Sequence, residues 1–110
     1  MTKKIAILGA GESGTGAAVL ATKQGFRVWL SDSGIIKPKY KDVLSHFDIA
    51  FEEGKHSEEL ILDSDEVIIS PGIPLTAPLV QKIRAKQIPV ISEIEFAARY
   101  TNARKICITG

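Results

Sequence analysis

The sequence has little of several features that define common classes of protein. It contains one cysteine, so it forms no internal disulfide and is expected to occupy a reducing compartment. Its 14 basic and 13 acidic residues leave a formal charge of +1, which provides no electrostatic attraction for nucleic acid or an anionic membrane. No apolar run approaches the roughly 20 residues of a membrane span, and the run after the basic start is too short for a signal peptide. We therefore expect a cytoplasmic protein that binds neither nucleic acid nor membrane.

The chain alternates short apolar strands with helices. Its 110 residues are 45% hydrophobic and 25% charged, which fits one globular domain. The pattern predicts strands over residues 4–8, 27–31, 49–51, 66–70, 89–91 and 105–109. It predicts helices over residues 13–23, 38–47, 57–62, 77–86 and 93–100. Because the strands are apolar on both sides and alternate with helices, they indicate a doubly wound, Rossmann-like α/β domain with a mostly parallel five- or six-stranded sheet.

A glycine-rich turn follows the first predicted strand. Gly9, Gly11 and Gly14 form the pattern G-x-G-x-x-G between a strand and a helix, and Asp32 ends the next strand. In nucleotide-binding units of this kind, the first glycine permits a tight turn, the second lets a phosphate approach, and the third brings the helix close to the strand. The free N–H groups at the helix start favour an anion. This stretch predicts a nucleotide site in which Asp32 accepts a hydrogen bond from the ligand.

A second turn, Ser70-Pro71-Gly72, follows the fourth predicted strand. In the common strand order 3-2-1-4-5 the first and fourth strands are neighbours, so this turn is expected beside the glycine-rich turn. Glycine after proline is typical of a type II turn, in which Gly72 takes a positive φ. Its N–H group is then available to a phosphate or a base.

The chain ends on a predicted strand followed by Thr109 and Gly110. A strand leading into Thr-Gly is how a phosphate loop of the type G-x-x-x-x-G-K-[ST] begins. We therefore expect this chain to be the front of a longer protein.

These features leave two interpretations open. The glycine pattern with Asp32 fits the adenosine ribose of NAD, which indicates a dehydrogenase domain or a nucleotide-sensing module. The Ser70-Pro71-Gly72 turn and the Thr-Gly ending favour a different nucleotide ligand. No group of residues predicts metal binding or nucleophilic catalysis, and His46 and His56 fit surface positions.

The ordered set of motifs resembles the N-terminal domain of the Mur ligases. The resemblance spans the whole chain and rests on residues 7–14, 31–33, 70–74, 92–96 and 106–110. The glycine pattern favours the branch that adds D-glutamate over the branch that adds L-alanine. The resemblance implies a three-domain ligase of peptidoglycan precursor synthesis that uses ATP and Mg²⁺. Residues 1–110 would be its UDP-substrate-binding domain, monomeric, inactive alone and without a cofactor, and Thr109 and Gly110 would begin the ATP loop.

The resemblance also implies the role of individual residues toward a UDP-sugar. It assigns substrate contacts to Gly9, Gly11, Glu12, Ser13, Gly14, Asp32, Ser33, Ser70, Pro71 and Gly72. The turn over residues 11–14 would hold the diphosphate, with the backbone of Glu12 rather than its carboxylate contributing. Asp32 and Ser33 would meet the uracil, and Ser70 and Gly72 would close the other side of the uridine site.

Overall fold

Residues 2–100 are described by the structure, a computed structural model, and they form five strands that alternate with five helices. The strands are β1 (Lys4–Leu8), β2 (Arg27–Asp32), β3 (Ala50–Glu53), β4 (Glu66–Ile69) and β5 (Val90–Ser92). The helices are α1 (Glu12–Lys23), α2 (Pro38–His46), α3 (Glu58–Leu62), α4 (Pro78–Ala85) and α5 (Glu93–Tyr100). Every element predicted within this range is present, with small differences at the ends. The strand predicted over 105–109 lies outside the described residues.

The five strands form one sheet in the order β3-β2-β1-β4-β5, and every pairing is parallel. This confirms the predicted doubly wound α/β class and the strand order. Leu8 at the end of β1 pairs with Ser31 of β2 on one side and with Ile69 of β4 on the other. The turns that follow β1, β2 and β4 therefore meet at the carboxyl edge of the sheet, where ligands bind in open α/β folds.

Two apolar clusters cover the two faces of the sheet. Alternate residues of β1 supply both, because side chains along a strand point to opposite faces. Ile5 and Ile7 belong to the cluster that includes residues of α1, α2 and α5, whereas Ala6 and Leu8 belong to the cluster beneath α3 and α4. The small residues of α1 allow it to approach the sheet closely, as three of its alanines are buried: Ala17, Ala18 and Ala21.

Helix α5 is held at its start by a capping box. The Ser92 hydroxyl accepts a hydrogen bond from the Glu95 N–H at 3.0 Å, and the Glu95 carboxylate accepts one from the Ser92 N–H at 3.0 Å. Arg99 makes a two-pronged ion pair with Glu66 of β4, at 2.6 and 3.1 Å. These contacts place the first residue of α5, Glu93, beside α1.

Candidate functional site

The glycine-rich turn packs as tightly as its sequence pattern predicts. Gly9 has φ +106°, and a Cβ at this position would lie 2.7 Å from Ser70 Cβ. A Cβ on Gly14 would lie 1.9 Å from the Gly9 carbonyl oxygen. Gly11 differs, since a Cβ there would meet no atom of the described chain within 4 Å. The first and third glycines are thus required for packing, whereas Gly11 borders open space.

Helix α1 begins directly at this open space. Gly11 is its N-cap residue and provides no side-chain cap. The N–H groups of the first helical turn have no partner within the helix, and they carry the positive end of its dipole. Glu12 and Ser13 are exposed in this turn. The arrangement can accept an anion through backbone donors.

Asp32 joins the glycine-rich turn to the end of β2. One carboxylate oxygen accepts a hydrogen bond from the Ala10 N–H at 2.8 Å, and the other accepts one from the Gly34 N–H at 2.8 Å. From the sequence alone, this carboxylate was predicted only to accept a hydrogen bond from the ligand. The structure shows that it also fixes the backbone around the site, with Ser33 exposed next to it.

The turn after β4 is hydrogen-bonded, but it is not of the predicted type. The Ile73 N–H donates to the Ser70 carbonyl oxygen at 3.0 Å, which closes a four-residue turn. Gly72 is not among the residues with positive φ, so the type II prediction was wrong. Ser70 instead packs against Gly9, and the Ser70 hydroxyl lies 3.4 Å from the Gly72 N.

A cavity of about 350 Å³ lies between these turns. It brings together half of the ten predicted substrate residues, namely Gly9, Asp32, Ser33, Ser70 and Gly72. Its lining also includes apolar residues, among them Leu8, Ile73 and Val80. A cavity with an apolar lining and a few polar groups is the usual form of a small-molecule site. Thr109 and Gly110 lie outside the described residues.

Ser13 and Pro71 border a second groove, on the other side of the turns. This groove runs between α1 and α5, has a volume of about 340 Å³ and is also lined by Glu93. Glu93 is buried, with 7% of its surface exposed, and accepts a hydrogen bond from the Ser13 side chain. Burial raises the pKa of the Glu93 carboxyl, although the hydrogen bond from Ser13 partly opposes this effect.

The buried Glu93 predicts a pH-dependent stability. A carboxyl whose pKa is higher in the folded chain than in the unfolded chain binds its proton more tightly when folded. The free energy of unfolding therefore falls as the pH rises from the ordinary pKa of 4.5 through the raised pKa. Glu93→Gln removes this loss and is expected to raise the melting temperature at pH 8 more than at pH 4.5. The expected gain at pH 8 is on the order of 1 kcal/mol.

Exposed Glu12, in the first turn of α1, provides the control. Glu12→Gln changes the same chemical group at an exposed position, and it is expected to give no gain in melting temperature at pH 8, because a negative charge is favourable at a helix start. Thermal melts of both variants at the two pH values make the test. An equal effect of Glu93→Gln on the melting temperature at both pH values would contradict the raised pKa of the Glu93 carboxyl.

His56 is a cavity residue that the sequence analysis missed. It is half-buried, lines the cavity with Asp32, and lies with Nδ1 2.6 Å from the Ser31 hydroxyl oxygen. The sequence analysis placed it at the surface because a single histidine in a polar loop carries no periodic signal. The predicted strand order could have found it, because His56 follows β3, whose carboxyl end lies beside that of β2.

Glu52 organises the polar residues behind His56. Its carboxylate accepts hydrogen bonds from the Trp29 indole at 3.1 Å, the Ser31 hydroxyl at 2.9 Å, and the backbone N–H and hydroxyl of Ser57 at 2.7 and 2.6 Å. Burial disfavours the charged form, but these donors outweigh it and keep the pKa of Glu52 below its ordinary value. Glu52 is therefore an anion that fixes the loop carrying His56.

Residues 2–100 contain neither a membrane-spanning helix nor a cluster of metal ligands. No helix there combines the length and apolar character needed to cross a membrane. No group of three or more histidine, cysteine, aspartate or glutamate side chains in that range is arranged to hold a metal ion.

Comparison with known proteins identifies what the chain resembles. A family model described as Mur ligase MurD-like, N-terminal domain, matches residues 3–92. The UDP-N-acetylmuramoylalanine–D-glutamate ligase of Bacteroides thetaiotaomicron is 65% identical over 108 residues, which cover 98% of this chain and 24% of that protein. The enzyme of the same name from Bacteroides fragilis is 59% identical, with the same coverage. The chain thus spans about a quarter of the length of these relatives.

The fold also matches solved structures. A murein peptide ligase from Psychrobacter arcticus superposes with a TM-score of 0.78 over 89% of this chain and 20% of that one, at 23% identity. At this identity the match supports the fold. The family model over residues 3–92 confirms the family resemblance seen in the sequence.

Proposed function

Because this chain belongs to the Mur ligase MurD-like N-terminal domain family, we propose that it binds the UDP part of UDP-N-acetylmuramoyl-L-alanine. The observation that carries the proposal is the meeting of Gly9, Asp32, Ser33, Ser70 and Gly72 around one cavity at the carboxyl edge of the sheet. The carboxyl ends of strands at the reversal of strand order are where such folds bind nucleotides.

In this proposal the two parts of the ligand meet different elements. The diphosphate lies at the start of α1, where Gly11 leaves open space and the backbone of Glu12, Ser13 and Gly14 supplies N–H donors. The uracil enters the cavity beside Asp32. Its other face is closed by the β4–α4 turn, with the residues Ser70, Pro71 and Gly72.

For the whole protein, we propose an ATP- and Mg²⁺-dependent ligase of the cytoplasm that adds D-glutamate to this substrate. The substrate carboxylate would take the terminal phosphoryl group of ATP, releasing ADP. The amine of D-glutamate would then attack the acyl carbon, releasing phosphate and forming the amide. Thr109 and Gly110 would begin the ATP loop, and this chain alone would be a monomer that binds substrate without catalysis.

The test is an NMR titration of the 110-residue chain with UDP-N-acetylmuramoyl-L-alanine and, in parallel, with NAD. Saturable shifts of the Gly11, Asp32 and Gly72 amides are expected with the UDP-sugar. Saturable shifts with NAD alone would overturn the proposal and favour a dinucleotide domain. UDP itself is expected to reproduce the shifts, because the contacts proposed here are to its base and diphosphate.

A further inference from the structure

We propose that His56 contacts the nucleobase and makes the cavity select uracil over cytosine, with Ser31 as the residue that positions its ring. The inference rests on the proposed UDP site and adds a residue that the family resemblance did not assign. Three observations carry it: His56 lines the cavity, its Nδ1 is bonded to the Ser31 hydroxyl, and that hydroxyl is surrounded by acceptors.

The hydrogen bonds of Ser31 determine which nitrogen of His56 carries the proton. The Ser31 hydroxyl oxygen lies 2.9 Å from a carboxylate oxygen of Glu52 and 3.1 Å from the Lys55 carbonyl oxygen, and neither of these has a hydrogen to donate. If the one hydroxyl hydrogen pointed to Nδ1, both of these acceptors would face lone pairs of the Ser31 oxygen, so the hydrogen points to one of the two acceptors. Nδ1 of His56, 2.6 Å away, must then be the donor to the Ser31 oxygen.

This assignment leaves Nε2 of His56 as an acceptor in the neutral ring. Within residues 2–100, no protein group is hydrogen-bonded to Nε2. The nearby carboxylate oxygens of Asp32 each already accept a backbone N–H. The cavity therefore offers an acceptor whose orientation is fixed by the protein before the ligand arrives, which lowers the cost of ordering it on binding.

An oriented acceptor distinguishes the two pyrimidines. Uracil carries an N–H at its N3 position, whereas cytosine has a lone pair there. A hydrogen bond from N3–H to Nε2 of His56 is available to uracil alone, and cytosine would place two acceptors against each other. A site built to hydrogen-bond an N–H of its ligand rejects an analogue that lacks this N–H, because the polar group of the site is then left unpaired.

The first experiment compares UDP and CDP binding to the 110-residue chain and to His56→Ala, with His46→Ala as the control. His46 is the other histidine, exposed on α2 and absent from the cavity lining. We expect His56→Ala to weaken UDP binding about tenfold, to leave CDP binding equal or stronger because the repulsion between two acceptors is gone, and so to remove the preference for UDP. His46→Ala is expected to match the unchanged chain.

The second experiment tests the positioning by Ser31. Long-range ¹H–¹⁵N spectra report which ring nitrogen of each histidine is protonated, and we expect the Nδ1–H form for His56 in the unchanged chain. Ser31→Ala deletes one oxygen from a buried residue and is expected to shift His56 toward the Nε2–H form that free histidine favours. UDP affinity should fall with that shift, while His46 in the same spectrum stays unchanged.

The outcomes separate this inference from the proposed function. If the unchanged chain binds no UDP, the proposed function fails. If it binds UDP but His56→Ala binds UDP equally well, or loses UDP and CDP affinity by the same factor, the selectivity of His56 is overturned. If His56 shows the Nε2–H form in the unchanged chain, the positioning by Ser31 is overturned. Melting curves of each variant establish that it is folded.

Discussion

Replacing Gly14 with alanine is expected to lower the free energy of unfolding by about 2–4 kcal/mol. The added Cβ would lie 1.9 Å from the Gly9 carbonyl oxygen, a backbone atom that cannot rotate away as a side chain would. Either α1 or the glycine-rich turn must move. Since Gly9 has a positive φ and packs on Ser70, that turn has little freedom to adapt. Urea denaturation followed by circular dichroism measures the change.

Gly16 provides a matched control on the same helix. A Cβ at Gly16 would meet nothing within 4 Å among the described residues, and the residue lies inside α1. Gly16→Ala is therefore expected to stabilise the chain by about 0.5–1 kcal/mol, because alanine is the better helix former. Replacing glycine with alanine is thus expected to lower the free energy of unfolding at position 14 and to raise it at position 16. Equal effects of the two substitutions would contradict the close approach of α1 to the turn.

The fold could be predicted from the sequence because the patterns that indicate it are local in the chain. Apolar runs define the strands, and the alternation with helices imposes parallel pairing and right-handed connections. The positions of Gly9 and Gly14 were also predictable, since a strand, a tight turn and a helix that pack closely leave no room for a Cβ at either residue. Gly72 shows the limit of this reasoning. The Pro-Gly pair permits a type II turn, but Gly72 does not have the positive φ that this turn requires. The turn that forms instead is one in which Ser70 packs against Gly9.

The parts of the site that were missed depend on contacts between distant segments. His56, Glu52 and Ser31 lie on two strands and a loop, and only the folded chain shows that they form one hydrogen-bonded group. The burial of Glu93 beside Ser13 likewise depends on the packing of α5 against α1. Single polar residues in loops have no periodicity, so the sequence alone does not distinguish such positions from solvated ones.

Asp32→Asn is expected to weaken UDP binding at least tenfold, or about 1.4 kcal/mol. The aspartate offers two oxygens to two backbone N–H donors, Ala10 and Gly34. Asparagine has one oxygen, so one of the two N–H groups would face its NH₂ group. We expect a loss of stability of about 1–2 kcal/mol from that lost charged hydrogen bond. Asp42→Asn, at an exposed position on α2, is the control and is expected to change neither quantity.

The affinity loss of Asp32→Asn has two possible physical sources, which a second ligand separates. Asp32 could contact the nucleoside directly, through a ribose hydroxyl when the single N–H of the uracil is bonded to His56, or it could act only through Ala10 by shaping the turn at the start of α1. Inorganic pyrophosphate carries the diphosphate without the base. If Asp32 contacts the nucleoside, Asp32→Asn weakens UDP binding and leaves the pyrophosphate-induced shift of the Gly11 amide intact. If both are weakened equally, Asp32 acts on the turn alone, and its assignment to the uracil is wrong.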